Sequence, residues 1–162
     1  MVRPHQPGES NFRSILPEDI DWKPFPAFPP EARLAVLVGD PTQPGPYVVR
    51  VKVPSGVKLM PHRHPEDRIY TVMSGVFYIG LGDQFDGEKV KAYPPGCLVV
   101  LPGDTPHFHF AKSGEYVTQV RSGRLAWSTW TRKTIRGTRE AEHFLRWRFF
   151  HALLDREPLA RS

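Results

Sequence analysis

The chain has 162 residues, enough for one domain with trimmings and short of two full ones. Its 18 prolines and 13 glycines favour turn-rich β structure over a helical bundle, and a single cysteine, Cys97, excludes an intramolecular disulfide framework and any CxxC metal site. The formal charge of +5 is uneven: Met1 to Val120 has 12 Lys+Arg against 13 Asp+Glu, whereas Arg121 to Ser162 has 10 against 4, so a basic excess that would point to nucleic acid is confined to the last segment.

Residues 1–30 mix proline, polar residues and scattered aromatics (Trp22, Phe25, Phe28) with neither a helical nor a strand period. They read as an N-terminal extended arm whose aromatics pin it to the outside of a barrel, with a disordered tail the alternative for Met1 to Ser14. That stretch has no apolar leader, and no run reaches the roughly 18 apolar residues of a membrane span. A cytoplasmic protein without membrane partners is expected.

Short apolar runs between turn signals follow: Ala32 to Val38, Tyr47 to Val53, Ile69 to Met73, Val76 to Leu81, Lys89 to Tyr93, Cys97 to Leu101 and His107 to Phe110. Each is rich in Val, Ile, Tyr and Phe, and Gly39-Asp40-Pro41, Ser74-Gly75, Pro94-Pro95-Gly96 and Pro102-Gly103-Asp104 punctuate them. Many short strands at this spacing predict an all-β sandwich or barrel over 31–120.

His62-Arg63-His64 is the most informative triplet, because residues two apart on an extended segment face one side and both imidazoles can reach one ion. Alone, such a pair reads equally as surface or hydrogen-bonded histidines. The surroundings are more specific. Gly56 stands five intervening residues before His62, Gly75 follows, and downstream come Gly96, five residues, Pro102 and then His107. This spacing resembles the two-part motif of the cupin superfamily, a small RmlC-like jelly-roll β-barrel with a metal in its mouth. The stretch Pro61 to Arg68, followed by Ser74 to Gly80 and Gly82 to Asp86, looks like a group of small single-domain bacterial cupins.

The resemblance implies that His62, His64 and His107 are metal ligands. Three neutral imidazoles suit Zn, Fe, Ni, Mn or Cu and leave positions open for water or a small-molecule ligand. The family's usual fourth ligand is a glutamate, but here that position is Arg68, whose guanidinium has no free lone pair. Glu66 is then either a replacement ligand or a solvated or Arg-paired carboxylate. Arg68 either faces the interior and attracts an anion or pairs with Glu66 or Asp67. His109 shares the parity of His107, so it either points into the barrel as a pocket residue or is a supporting or core histidine, and Tyr70 is a wall or core residue. No GxSxG, P-loop or GxGxxG competes.

Two functions follow from the resemblance: a non-catalytic protein binding a small, anionic molecule at the metal, or a metal-dependent dioxygenase, isomerase or lyase. A homodimer is expected by analogy with similar cupins.

The resemblance stops after Val120, where relatives tend to continue close to Ile-Gly-Pro-Leu-Gly-Leu-Glu-Tyr. Codons can be chosen for Arg121 to Thr131 that read Ile-Gly-Pro-Leu-Gly-Leu-Glu-Tyr-Val-Asp in a displaced frame, so one reading of 121–162 is a frameshift, which sequencing the gene across Val120 decides. The other is a genuine basic tail with a helix over 138–154 started by Thr138. Its interleaved Arg and Trp would be the feature to bind nucleic acid or a membrane, a minor reading because the preceding 120 residues carry no matching basic excess.

Overall fold

The computed structural model describes residues 3–122. The tail, its helix over 138–154 and the frameshifted reading therefore lie outside the described residues, apart from Arg121 and Ser122, which end the last strand.

Nine strands form where the turn signals allow: β1 (Arg33–Val38), β2 (Tyr47–Val53), β3 (Lys58–His62), β4 (Arg68–Ser74), β5 (Phe77–Leu81), β6 (Lys91–Tyr93), β7 (Leu98–Leu101), β8 (His107–Phe110) and β9 (Tyr116–Ser122). They make two antiparallel sheets, one of five strands in the order β1-β2-β9-β4-β7 and one of four in the order β3-β8-β5-β6. The short predicted runs thus fold as the expected jelly roll.

Alternation decides which face is buried. In β2, Tyr47, Val49, Val51 and Val53 are buried and oppose Ser122, Val120, Thr118 and Tyr116 of β9, which are buried too. A slip of one residue would turn this whole set to solvent, at about 1.5–3 kcal/mol for each large apolar side chain, so the register is strongly specified.

β3 is the strand that the apolar runs do not show. It carries Lys58 and Pro61, and its outward residues Lys58 and Met60 are exposed. Proline is tolerated because β3 is an edge strand, and its pairing with β8 shifts register between Leu59 and His62.

The arm runs beside β1, the outer strand of the larger sheet. The His5 N–H donates to the Leu37 carbonyl (2.9 Å), and Lys23 and Leu34 exchange backbone hydrogen bonds of 2.9 and 2.8 Å. Trp22 lies under the Lys52 ammonium, 4.5 Å from the ring centroid. Phe25 and Phe28 depart from the expected outer position: they stack edge to face at 5.1 Å and line the main cavity.

Gly75 makes the β4–β5 turn at φ 67°, and a Cβ there would collide with the Glu115 carbonyl oxygen. Gly75→Ala is expected to lose on the order of 3 kcal/mol, read as a lower urea midpoint at unchanged slope.

Candidate metal centre

The site forms where one end of each sheet meets the β3–β4 loop. His62 ends β3 and is the register partner of His107, which starts β8, so antiparallel pairing alone brings these two rings together, with centroids 4.4 Å apart. His64 lies two residues beyond the end of β3, in the loop, so the HxH pair straddles the strand end rather than lying along it. Its place is fixed from outside: the Asp104 N–H donates to the His64 carbonyl (2.7 Å), and the Gly103 N–H donates to Asp67 Oδ1 (2.7 Å). Asp104 takes φ 57°, a left-handed conformation that short polar residues tolerate.

One ligand atom from each of His62, His64 and His107 lies within 4.8 Å of the others. The Nδ1–H groups of His62 and His107 point at the carbonyls of Met60 (2.7 Å) and Thr105 (2.9 Å), a tautomer that leaves the Nε2 lone pairs free. Nε2 of His64 and of His107 is buried with no hydrogen-bond partner. Orphaned buried nitrogens cost free energy unless something fills the space between them, and a metal ion fits this donor set.

Electrostatics keeps the rings neutral. Burial, aided by the Arg68 charge, lowers the His64 pKa to about 3. Burial also lowers His107 to about 4, against the pull of its bond to Thr105, and lowers His62, against the pull of Met60. His109 is buried beside them and lines the cavity, with its ring centroid 5.2 Å from His107 and edge to face with Phe77 and Tyr70 at 4.9 and 5.8 Å. Burial holds its pKa well below the usual histidine range, and its Nε2 also lacks a partner.

Arg68 both faces the cavity and pairs with Glu66. It lines the cavity, and its Nε and Nη2 donate to Glu66 Oε1 (3.2 and 3.0 Å). The Tyr47 hydroxyl donates to the same oxygen (2.7 Å). Burial would raise the Glu66 pKa, but these bonds outweigh it and hold the carboxylate below its usual range. Glu66 is thus engaged by Tyr47 and Arg68 rather than grouped with the three histidines. Tyr47 and the two arm phenylalanines were not singled out as site residues; Tyr47 merely opens an apolar strand, and the arm has no period to expose them. Tyr47→Phe is expected to cost about 1 kcal/mol of stability in thermal or urea melts.

The cavity measures about 650 Å³, within the range of small-molecule sites. Its lining combines the polar His62, His64, His109, Arg68 and Tyr70 with the apolar Leu34, Val49, Val51, Leu59 and the two phenylalanines.

Two antiparallel sheets enclosing a histidine cluster at one end define the cupin, RmlC-like fold. Solved structures share it. KdgF from Halomonas sp. superposes with a TM-score of 0.53 at 24% identity over 68% of this chain and 94% of that one. The polyketide cyclase RemF from Streptomyces resistomycificus gives 0.57 at 17% over 69% and 79%, and an RmlC-like cupin from Ralstonia eutropha gives 0.54 at 20% over 70% and 69%. No family model and no curated protein matches the sequence. No helix among the described residues is long and apolar enough to cross a membrane.

Proposed function

We propose that this protein is a metal-binding cupin that holds one divalent transition metal on His62, His64 and His107 and binds a small anionic molecule in the cavity beside it. The observation that carries this reading is the convergence of three neutral imidazoles whose Nδ1 groups, at His62 and His107, are tied back to backbone carbonyls. When bound, the metal supplies Lewis-acid polarisation of an oxygen donor on the ligand.

The chain's own residues do the rest. The backbone carbonyls fix the tautomers of His62 and His107, while Arg68 contributes a second positive charge beside the metal position. Glu66 and Tyr47 hold that guanidinium in place. The apolar walls exclude water and strengthen both attractions.

Metal uptake tests the reading. Chelated protein titrated with Zn, Fe, Ni, Mn or Cu ions should take up one equivalent of at least one of them. Stability should rise by about 2.7 kcal/mol at a free metal concentration a hundred times Kd. No uptake of any of the five would overturn the assignment. Gly103→Ala probes the loop that seats His64: its Cβ would lie 2.5 Å from the Pro65 carbonyl oxygen, so the loop must shift. Metal affinity is expected to fall about tenfold in calorimetry.

A further inference from the structure

We infer that the cavity selects a carboxylate with an apolar, ring-sized body, its carboxylate on Arg68 and the Tyr70 hydroxyl and its body against Phe25 and Phe28 of the N-terminal arm. The inference rests on the cavity being the ligand site of the proposed function, and it names the class of ligand.

Three features support it. Tyr70 lines the cavity and is only 2% exposed, and its buried hydroxyl meets no partner at hydrogen-bonding geometry, only the neighbouring Arg68 guanidinium, a costly state that a ligand oxygen shared between the two would relieve. Arg68 lines the same cavity, close enough for its charge to oppose the upward push of burial on the Tyr70 pKa. Its Nε and Nη2 serve Glu66, and Nη1 is not part of that pairing. A guanidinium beside a hydroxyl donor matches two oxygens of one carboxylate.

Phe25 and Phe28 also line the cavity as an edge-to-face pair, and the Phe28 N–H donates to the Phe25 carbonyl (2.9 Å), so a turn locks the pair. Aromatic walls of this kind favour a flat or bulky apolar body over a chain of polar groups. The arm thereby acts as part of the binding surface. Phe25 is a specificity-determining residue rather than a core residue, whereas Phe28 also packs on the core.

Calorimetry on the full chain with 4-phenylbutyrate, butyrate and 4-phenylbutanol separates the two halves of the ligand. The acid with the ring should bind at least about tenfold more tightly than the acid without the ring or the alcohol without the charge. Arg68→Gln should abolish the preference for acid over alcohol, and Phe25→Ser should weaken phenylbutyrate more than butyrate, shrinking the preference for the acid with the ring. Equal binding of phenylbutyrate and phenylbutanol by the unaltered protein would overturn the inference, as would an undiminished ring preference in Phe25→Ser. The comparison on the unaltered protein decides the carboxylate half even if Arg68→Gln does not fold. Selectivity that persists in a protein taking up no metal would sink the metal assignment and leave this inference standing. A protein that binds metal without selectivity would do the reverse.

Discussion

Replacing His107 with alanine is expected to cost the protein its bound metal, with affinity lower by at least about a hundredfold, since loss of even a supporting partner of a ligand costs ten- to a hundredfold. His107 is fully buried and shares its register position with His62, so its removal leaves His62 and His64 without the partner that the ladder places between the sheets. His62→Ala should behave alike with less disturbance, because His62 is only half-buried. The control is His109→Leu. That ring packs beside the cluster but is not one of the three grouped histidines, so metal content per chain after dialysis should persist there. Retention of metal in both His62→Ala and His107→Ala, with melts showing folded protein, would place the ion elsewhere.

The second large effect is on stability against pH in the metal-free protein. An unfolded histidine takes up a proton near pH 6.5, whereas His64 and His107 in the folded protein do so only near 3 and 4, and His109 lower than the usual range. Between about pH 6.5 and 4 the unfolded chain therefore binds protons that the folded chain does not. Stability must fall as pH falls through that window. With solvent screening at the cavity mouth allowed for, the loss from the buried rings together is about 3 kcal/mol. The lowered carboxyl of Glu66 adds its own loss only below its unfolded value near 4.5. Urea midpoints of chelated protein at pH 7.5, 6 and 5 should decline stepwise, and saturating metal should raise each of them. A flat profile from 7.5 to 5 would mean that the rings are more solvated than their burial indicates.

The strands were legible where side-chain alternation and Gly/Pro punctuation coincide, as in β2 and β8. The same alternation puts His107 and His109 on the inner face, with Phe108 on the other face against Gly80 and Phe85. β3 was not legible, because an edge strand with one exposed face and a bulge needs neither apolar alternation nor the absence of proline. The histidine spacing was legible because two short segments carry it. Tyr47 lies 19 residues from Glu66, and their bond depends on β9 standing between β2 and β4 in the larger sheet, with Tyr47 and Arg68 both opposite Ser122, which no local pattern encodes. The phenylalanines of the arm could be read as anchors but not assigned to the cavity, since among the described residues two isolated backbone bridges to β1 set the path of that segment.

The interrupted pairing of β3 with β8 bears on local motion. Between Leu59 and His62 the register shifts, and the His62–His107 pair resumes it at the strand's end. An edge strand with a broken ladder opens more readily than the sheet it borders. When His62 and His107 share an ion, they fasten that loose end to the neighbouring strand, so slower amide exchange along Lys58–His62 would accompany metal loading while β2 and β9, in the other sheet, stay unchanged.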